Sequence, residues 1–534
     1  MKTPPSIFND VLGPVMRGPS SSHSAAANRI GRLARQLVDE PIRSLTVTYD
    51  PNGSLVTTHR DQGSDMGLYS GILGWTPDDP RLPTFHKALE TADIGVDVVY
   101  ASFDAPHPNF YRLELVGQSG SLYRLDAIST GGGMIELLAI DRCELNLRGD
   151  LYHTLFWSDS QPSDELLKGL QTDTTIEFAS WHAGPGCGLL NLASSSPLAD
   201  VYCNEKIEPN LSSTRVRQLS PVLPVLSRRD MNIPFETCRE MLEVEEGEKL
   251  NLWELAARYE AARGGIALAE VMEQMLELTT IMENAVQTGL GGTSYEDRIL
   301  PAQSPGFLRA EKDGRVVPAD FTNRIIRYVT AIMEVKSSMG VIVAAPTAGA
   351  CGAMPGAVLA VADQLQQSGQ KKAEAMLVAG LIGVFIARDS TFAAEEGGCM
   401  AECGSGSAMA AAAIVHLMEG TLEQQLAAAS MALQSCFGMI CDPIANRVEA
   451  PCLGKNVMAA NNALASANMA LAGFQHLIPL DEVIYSMNEV ARQIPRELCC
   501  TALGGLSTTP TSLQIAESLA RKSDSPVPAS KIPC

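Results

Sequence analysis

The sequence predicts a multidomain protein, with an N-terminal α+β domain followed by an all-α C-terminal domain. The chain has 534 residues, which is too long for a single hydrophobic core. Apolar residues show mixed strand-like and helical spacing up to about residue 160, and mainly helical spacing beyond residue 234. Hydrophobic residues make up 46% of the chain, whereas aromatic residues make up only 5%. This balance favours closely packed helices of small residues over a β-sandwich.

The first domain is predicted to span residues 1–160. A helix is expected over 24–38, because Ile30, Leu33 and Leu37 recur at helical spacing after a run of small residues. Two later strands enclose the segment GQSGS, which is typical of a β-hairpin. The predicted strands are 45–49, 96–103, 111–116 and 122–128, and an apolar run follows at 134–140.

The rest of the chain is predicted to contain three further parts. Residues 161–227 carry clusters of Pro, Ser and Gly and one strand-like stretch at 174–179, so we expect a connecting segment or small subdomain. Residues 228–522 form the predicted helical domain, and 523–534 a polar C-terminal tail. The predicted helices are 252–262, 266–288, 321–338, 373–388, 407–418, 422–433 and 455–471, with glycine-rich loops between them.

The net charge and the search for targeting signals restrict the predicted location and partners of the protein. The net charge of -21 argues against nucleic acid or an anionic membrane as partner, since either would need a basic face. The first residues lack the basic stretch and apolar run of a secretory signal. No apolar stretch reaches the roughly 18 residues that would indicate a membrane span. We therefore expect a cytoplasmic protein with reduced thiols, and nine of its thirteen cysteines lie from Cys351 onward.

Three of these cysteines have the surroundings of iron–sulfur ligands. Cys399, Cys441 and Cys452 lie in EGGCMAECG, MICDPIAN and EAPCLGKN, where small residues adjoin helical stretches. Thiolates held at helix ends suit such a cluster, and three ligands would leave one iron open as a Lewis acid. The long intervals between them are not diagnostic, so structural cysteines remain the alternative at this point. Cys351, Cys403 and Cys436 are predicted to be buried structural residues and not ligands.

Several short polar or small-residue loops could bind a small anion. Residues 18–24, GPSSSHS, place hydroxyls and backbone N–H groups at a helix start, which can hold a carboxylate. The alternative is a solvated N-cap. Residues 107–109, HPN, and 62–65, QGSD, indicate only turns when taken alone. In residues 345–352, APTAGACG, the backbone could approach a ligand closely or simply pack helix on helix.

Taken together, these segments resemble the iron–sulfur-dependent L-serine dehydratases (L-serine ammonia-lyases), with the β-type domain fused ahead of the α-type domain. The resemblance covers most of the chain. In the first half it rests on GPSSSHS, QGSDMGLYSGILG, HPN and STGGGMI. In the second half it rests on SSMGVIVAAPTAGACGAMPG, EEGGCMAECGSGSAMAAAA, CDPIANRVEAPCLGKN and TALGGLSTTPT.

The resemblance implies a 4Fe–4S cluster on Cys399, Cys441 and Cys452, with one iron free to bind the carboxylate and β-hydroxyl of L-serine. A base removes the α-proton, and the resulting aminoacrylate becomes pyruvate and ammonia. The implied catalytic residues are His23, His107 and Asn109, and the implied substrate-binding residues are Ser20, Ser21, Ser22, Ser64 and Asp65. It also implies that the N-terminal domain caps the cluster, and that the partner is a second copy in a homodimer.

Five positions depart from the family's pattern. Gln62 stands where the family usually has His, and Phe110 where it has Thr; Ser24 is a mild change from Thr. Cys499–Cys500 replaces an Arg-Glu pair. His59, three residues before Gln62, is a candidate replacement for the missing imidazole. These changes leave open a dehydratase for another β-hydroxy amino acid, or an amino-acid-binding homologue without turnover.

Two further interpretations concern the tail and the cofactor. Some family members end in a cysteine that binds the open iron until substrate displaces it, and Cys534 occupies that terminal position. A disordered tail is the alternative. A pyridoxal-phosphate mechanism is not favoured, because no lysine lies in a loop resembling that cofactor's Schiff-base motifs.

Overall fold

The structure is a computed structural model and describes residues 3–295 and 298–523. An α+β region occupies the chain up to about residue 220, and a helical region follows from about residue 250, which confirms the predicted fold class. Cys534, the terminal cysteine considered above, lies outside the described residues.

The α+β region contains the following elements. Its strands are β1 (Val15–Met16), β2 (Ile42–Tyr49), β3 (Gly95–Tyr100), β4 (Phe110–Gly117), β5 (Leu122–Gly131), β6 (Met134–Ile140), β7 (Cys143–Leu147), β8 (Tyr152–Ser158), β9 (Phe178–Ala183), β10 (Gly188–Ser194) and β11 (Ser213–Leu219). Its α-helices are α1 (Ala26–Val38), α2 (Leu55–Thr58), α3 (Ser64–Ile72), α4 (Phe85–Thr91), α5 (Asp164–Thr172) and α6 (Asp200–Tyr202).

A six-stranded sheet forms the centre of this region. Its order is β3-β2-β4-β5-β6-β7, with β2 parallel to β3 and the other neighbours antiparallel. The predicted hairpin is β4–β5, in which Phe110 pairs with Ile128 and Val116 with Leu122. Alternate residues of β2, such as Leu45 and Val47, are buried because one sheet face packs under helices. Helix α1 packs on α3 and on this sheet.

A second, four-stranded sheet takes three of its strands from residues 161–227, the predicted connecting segment or small subdomain. Its order is β11-β8-β10-β9, entirely antiparallel, and its own core includes Phe156, Leu190 and Leu192. The strand predicted at 174–179 begins only at Phe178. Before it, the N–H of Thr175 donates to Asp173 Oδ1 at 2.9 Å, and this side-chain bond forms a turn instead of a strand.

The helical region contains α7 (Cys238–Glu248), α8 (Leu252–Gly264), α9 (Leu268–Leu290), α10 (Ser304–Lys312), α11 (Asp320–Ser337), α12 (Ala353–Gln364), α13 (Gly369–Asp389), α14 (Ala394–Cys399), α15 (Ser405–Leu417), α16 (Leu422–Gln434), α17 (Cys452–Leu471), α18 (Leu480–Ala491) and α19 (Pro510–Ser523). The short strand β12 (Ile342–Val343) pairs with β1. Short π-helical turns (among them Ile7–Val11, Ser21–Ala25 and Met400–Gly404) and 3-10 turns (among them Ile444–Asn446, Arg496–Leu498 and Gly505–Thr508) complete the chain.

The seven predicted helices are all present, as α8, α9, α11, α13, α15, α16 and α17. Local signals explain their starts. At α16, for example, the Thr421 hydroxyl accepts from the Gln424 N–H at 3.3 Å, and the Gln424 side chain accepts from the Thr421 N–H at 2.9 Å. Helix α12 was missed, because its uniformly small and apolar residues are buried on every side and show no helical period.

The first residues of the chain pack into the helical region. Ile7–Val11 lies against α13, where a Cβ built on Gly380 would be 2.6 Å from Ile7 Cγ2, and one on Gly383 would be 2.1 Å from Val11 Cγ1. The buried carboxylate of Glu260 accepts from the Ile7 N–H at 2.7 Å. The pairing of β1 with β12 continues this contact, so the chain start holds the two regions together.

One helical run among the described residues is long and apolar enough to cross a membrane by length and composition. It covers Ala394–Leu417, 24 residues with a mean hydropathy of 1.2, and corrects our expectation that no stretch would qualify. In the fold, 94% of its most apolar window is buried inside the protein. Such burial is the behaviour of a core helix, so this run is weak evidence for a membrane span.

Candidate active site

A cleft of about 720 Å³ lies where the two regions meet. The α+β region contributes the loop before β4, with His107 and Pro108, and the helical region contributes Glu395, Glu396 and Cys499. The N-terminal domain therefore covers the part of the helical region that carries the cysteine segments, as the resemblance implied.

The three predicted cluster cysteines come together behind this cleft. Cys399 ends α14 after Gly398, whose φ of 64° is in the left-handed region; Cys441 lies between α16 and α17; and Cys452 begins α17. All three are buried. Hydrogen bonds from the Cys403 and Cys441 thiols lower the pKa of Cys399 well below its ordinary value, and the Lys455 charge acts in the same direction. Cys399 is therefore the thiol most ready to act as a thiolate.

A buried ion pair stands beside these thiols. Lys455 Nζ is 2.5 Å from Asp442 Oδ1, 2.6 Å from the Ile440 carbonyl oxygen and 3.9 Å from Cys399 Sγ. The ammonium group thus brings one positive charge beside the Cys399 sulfur atom. Asn456 adds neutral donors: its Nδ2 is 2.8 Å from the Gly349 carbonyl oxygen and 3.6 Å from Cys403 Sγ.

The donor chemistry fits an iron–sulfur cluster. The site offers buried thiols from three segments, a nearby cation and N–H donors directed at sulfur, which are the features that bind and tune such clusters. Within residues 3–295 and 298–523, no three His, Cys, Asp or Glu side chains converge closely enough to hold a single metal ion. The fit of these cysteines to a cluster therefore rests on their donor atoms and their burial.

His23 is held in one tautomer by its two neighbours. The Thr58 hydroxyl donates to the Ser54 carbonyl oxygen at 2.8 Å, so it accepts from His23 Nε2–H at 2.9 Å. This leaves Nδ1 to accept from the Ser20 hydroxyl at 3.0 Å. Burial lowers the pKa of His23 to about 3, so the ring is neutral at neutral pH.

The serine loop of residues 18–24 contacts two of the other predicted loops, 62–65 and 345–352. Ser21 Oγ accepts from the N–H of Ala348, in the small-residue loop 345–352, at 3.1 Å. Ser24 Oγ donates to the Gln62 carbonyl oxygen at 3.2 Å. Ser20 and Ser22 are buried in the same loop. The tertiary structure therefore brings all three loops to one place.

Ser64 and Asp65 are engaged by protein groups. Ser64 Oγ is 3.0 Å from the Tyr111 hydroxyl, and Asp65 Oδ1 is 2.8 Å from His59 Nδ1. The other His59 nitrogen, Nε2, is 2.8 Å from the Tyr100 hydroxyl. In this arrangement both side chains support the loop, and substrate binding by either one remains a prediction.

Asn109 and Glu395 each have one buried polar atom without a hydrogen-bond partner among the described residues. Asn109 Oδ1 accepts from the Ser54 hydroxyl, but its Nδ2 has no hydrogen-bond partner within the described part of the chain. Glu395 Oε2 is likewise unpartnered among the described residues, although the side chain is only 3% exposed. Burial raises the pKa of Glu395, and the Asn109 amide beside it acts in the opposite direction. The Asn109 amide is thus close enough to interact with the Glu395 carboxylate, and this buried donor and acceptor face each other where a ligand would compete for them.

His107 closes the mouth of the cleft. Its Nδ1 accepts from the Asn109 N–H at 3.1 Å, so Nε2–H donates to Glu396 Oε1 at 3.0 Å. Glu396 is exposed, so this pair lies between solvent and the buried Glu395. His23, His107 and Asn109 are therefore all brought near the residues of α14.

Comparison with known proteins agrees with this arrangement. Residues 247–507 match the family model described as "Serine dehydratase alpha chain". L-serine dehydratase 2 of Escherichia coli (strain K12) is 34% identical over 517 residues, covering 92% of this chain and 96% of that protein. The chain belongs to the L-serine dehydratase family. The L-serine dehydratase of Streptomyces coelicolor is 27% identical over 508 residues, again covering 92% and 96%.

The fused arrangement of the family is also supported. "L-serine dehydratase, alpha chain" of Peptoniphilus asaccharolyticus is 34% identical over 291 residues, which are 100% of that protein but 54% of this chain. Here the helical half corresponds to a whole chain elsewhere, and the α+β half precedes it in the same polypeptide.

The departures from the family pattern fall in two places. Gln62 Nε2 donates to Cys500 Sγ at 3.3 Å, so two of the departing positions contact each other inside the site. Phe110 instead packs on Phe103, with ring centroids 5.3 Å apart, and is absent from the residues that line the cleft. Phe110 therefore gives no support to an altered substrate.

The sequence analysis missed Glu395, Glu402 and Lys455. Desolvation and the Cys399 charge raise the pKa of Glu402 to about 8, while the Thr347 hydroxyl donates to its carboxylate at 2.7 Å. A signal for the two glutamates was present, because EEGGCMAECG places acidic residues inside an otherwise small and apolar run. Lys455 carried no such signal, because an isolated lysine near a helix start is usually solvated.

Proposed function

We propose that this chain is an L-serine ammonia-lyase that converts L-serine to pyruvate and ammonia in the cytoplasm. The names of its full-length relatives support the reaction. The observation that carries the proposal is that three buried cysteines from separate segments interact with one another near a two-domain cleft lined by Glu395.

A 4Fe–4S cluster on Cys399, Cys441 and Cys452 is the cofactor we propose. When bound, it would supply a Lewis-acid iron that polarises the β-hydroxyl of the substrate. The protein's part is to favour the thiolate of Cys399, through the thiol of Cys403 and the charge of Lys455. Burial excludes water from the same sulfur atoms.

The substrate carboxylate is proposed to lie against the start of α1. Ser20, Ser21 and Ser22 place hydroxyls and backbone N–H groups at this helix terminus, where the aligned peptide dipoles favour negative charge. Asn109 Nδ2 provides a further buried donor. Ser64 and Asp65 would hold the loop that closes around the substrate.

We assign removal of the α-proton to Glu395. Its Oε2 is free to accept a proton, and its raised pKa makes it a stronger base than an ordinary carboxylate. His23 is a weaker candidate as base, because both of its nitrogens are engaged and its pKa is about 3. It positions the Ser20 hydroxyl and lies near Glu395.

Removal of the α-proton is coupled to loss of the β-hydroxyl. The electron pair of the Cα–H bond forms the new double bond as the proton passes to Glu395. The β-hydroxyl leaves as hydroxide, which takes that proton back from Glu395 to give water. The aminoacrylate tautomerises to an imine, and hydrolysis gives pyruvate and ammonia. His107 and Glu396, at the cleft mouth, are proposed to limit access during these steps.

One observation keeps a second substrate in view. The amide of Gln62 cannot act as acid or base where the family usually has an imidazole, and it contacts Cys500 inside the site. A dehydratase for another β-hydroxy amino acid, or a binding protein without turnover, would be compatible with this change. A screen of β-hydroxy amino acids for keto-acid formation and for binding separates the three cases.

The test uses full-length protein purified without oxygen and reconstituted with iron and sulfide. We expect pyruvate from L-serine, and loss of both cluster absorbance and pyruvate in Cys399→Ser. Cys187→Ser is the matched control, because Cys187 is half-buried in the turn before β10. Undiminished pyruvate formation by Cys399→Ser would refute the cluster assignment. Sedimentation of the same samples tests the proposed homodimer.

A further inference from the structure

The cleft between the two regions is larger than the proposed substrate requires. Its volume of about 720 Å³ is typical of sites that hold drug-sized ligands, and L-serine is far smaller than such a ligand. The buried Glu395 lies at its inner end, whereas the loop before β4 and the 3-10 turn Arg496–Leu498 contribute exposed residues to its lining. The outer part of the cleft therefore has room for a second ligand position.

Most of the charged groups that line this cleft are already engaged. The charged lining residues are Asp50, Asp104, Glu395, Glu396, Arg492 and Arg496. Asp50 accepts from backbone N–H groups of its own region, and Glu396 accepts from His107. Arg492 is paired with Glu489 at 2.8 Å. Glu395, the proposed base, lies beside His23.

Asp104 and Arg496 are the two charged lining residues that remain. Within residues 3–295 and 298–523, neither side chain forms a hydrogen bond or an ion pair, and both side chains are exposed. Asp104 belongs to the α+β region and Arg496 to the helical region. The two regions thus bring one free carboxylate and one free guanidinium to the same cleft.

A buried carboxylate fixes the loop that carries Asp104. Asp50 Oδ2 accepts from the N–H of Phe103 at 3.0 Å and from the N–H of Ala105 at 3.3 Å. Asp104, between these two donors, has a φ of 53°, in the left-handed region that aspartate tolerates better than most residues. The loop therefore presents the Asp104 carboxylate at the cleft without using it for its own structure.

The turn that carries Arg496 is held in a comparable way. The Cys499 N–H donates to the Arg496 carbonyl oxygen at 3.0 Å. The buried Thr501 hydroxyl lies 3.3 Å from that oxygen and 3.2 Å from the Glu497 carbonyl oxygen. Three backbone and side-chain contacts thus fix the main chain of the turn, and the Arg496 side chain takes part in none of them.

The position of Arg496 also bears on one departure from the family pattern. Cys499–Cys500 stands where the family has Arg-Glu, and in this chain the pair Arg496–Glu497 occurs three positions earlier. A 3-10 turn has three residues per turn, so Arg496 and Cys499 lie on the same side of it, and both line the cleft. A guanidinium therefore remains at this wall of the cleft, one turn earlier in the chain.

We propose that Asp104 and Arg496 form an outer subsite that binds the zwitterion of the substrate amino acid as it enters the cleft. This inference rests on the proposed function. The ammonium group lies against Asp104 and the carboxylate against Arg496, so each charge of the substrate has a partner of opposite sign. The amino acid then moves inward to the serine loop and Glu395. A hydroxy acid without an ammonium group lacks one of these two partners, so the subsite favours α-amino acids.

Steady-state kinetics with L-serine test the subsite in the reconstituted full-length protein. Asp104→Asn and Arg496→Gln each remove one charge, and Arg496→Lys keeps it. Arg492→Gln is the matched control, because Arg492 is an exposed arginine of the same cleft that already has an ion-pair partner. We expect KM to rise about three- to fivefold in Asp104→Asn and Arg496→Gln, the effect of losing one exposed ion pair, with kcat nearly unchanged. Arg496→Lys and Arg492→Gln should stay close to wild type.

Salt separates charge pairing from a structural effect of the substitutions. As NaCl is raised from about 0.05 to 0.5 M, the KM of wild type should approach that of Arg496→Gln, because screening weakens exposed ion pairs. Three results would overturn the subsite: an unchanged KM in Arg496→Gln, an equal rise in Arg492→Gln, or a difference from wild type that salt does not reduce. Pyruvate formation by wild type would still uphold the proposed function in each of these cases.

A binding measurement keeps the two proposals distinguishable. Wild type that forms no pyruvate would contradict the proposed function, and calorimetric titration with L-serine then tests the subsite alone. We expect binding to be several-fold weaker in Asp104→Asn and Arg496→Gln than in wild type and Arg492→Gln. Equal affinity in all four proteins, or no binding by wild type, would overturn the subsite.

Discussion

His23 Nδ1 lies 3.5 Å from Glu395 Oε1, which joins the serine loop of the α+β region to the helix that ends at Cys399. The two side chains are almost completely shielded from solvent. One holds the loop proposed to bind the substrate carboxylate, and the other carries the free oxygen proposed to accept the α-proton. Their contact explains how substrate binding and proton removal can be coupled across the two regions.

Replacing Glu395 by Gln should remove the proton acceptor while keeping the shape of the site. We expect kcat to fall by about 10² to 10⁴-fold, the usual contribution of a general base. Iron content and cluster absorbance should stay at the wild-type level. Glu396→Gln is the comparison variant: it breaks the pair with His107 at the cleft mouth but leaves the proton acceptor in place, so kcat should fall much less. Activity of Glu395→Gln within a few-fold of wild type would assign the base elsewhere.

The same assignment predicts the acid limb of the pH profile. The active form of Glu395 is the carboxylate, and burial raises its pKa above the ordinary value of 4.5. Activity should therefore be lost as the pH falls through a value above 4.5. His23, with a pKa of about 3, cannot produce that limb. The dependence of kcat on pH checks this, and a limb at or below 4.5 would contradict the role of Glu395.

Lys455 is expected to assist cluster assembly. Lys455→Gln removes the charge 3.9 Å from Cys399 Sγ and leaves Asp442 without its ion-pair partner. Iron bound per chain after reconstitution should fall several-fold, because the Cys399 thiolate loses a stabilising cation. Lys455→Arg, which keeps the charge, should restore most of the iron. Equal iron content in wild type and Lys455→Gln would show that the cation has no such role.

Gly383 tests the packing of the chain start on α13. In Gly383→Val, the new side chain would overlap Val11, since even a Cβ would be 2.1 Å from Val11 Cγ1. Overpacking of this kind costs about 1–3 kcal/mol, so the thermal midpoint should fall by several degrees. Gly369→Ala at the start of the same helix meets no atom within 4 Å and should be neutral or slightly stabilising. Calorimetry of wild type, Gly383→Val and Gly369→Ala gives the thermal midpoints to compare.

The buried imidazole of His416 should make the protein less stable in mild acid. Burial lowers its pKa from 6.5 to about 4, so between these values the unfolded chain binds the proton and the folded protein does not. Stability therefore rises with pH across this window and falls as the pH is lowered. Between pH 7 and pH 5 this group should contribute a loss of about 2 kcal/mol in the free energy of unfolding.

His416→Gln should remove that contribution. Urea unfolding followed by tryptophan fluorescence at the two pH values gives the comparison. We expect the variant to lose about 2 kcal/mol less than wild type on going to pH 5. The same loss in both proteins would mean that His416 does not titrate in this window.

Elements with a clear period were predictable from sequence. Helix α9 repeats its apolar residues over 23 positions, and β4 and β5 alternate buried and exposed residues on either side of a glycine turn. Helix α12 and the second sheet were not predictable from sequence, for two reasons. A helix buried on all sides shows no period, and β8 finds its neighbours in β10 and β11, which lie well beyond it in the chain.

The sequence by itself determined the family and the candidate cluster ligands, because Cys399, Cys441 and Cys452 lie in short motifs whose residues are consecutive. Only the tertiary structure decided which side chains meet them. Gln62 and Cys500 are separated by 438 positions, and His23 meets Glu395 across the boundary between two regions. Such contacts depend on how two hydrophobic cores pack together, and no local pattern of residues encodes that packing.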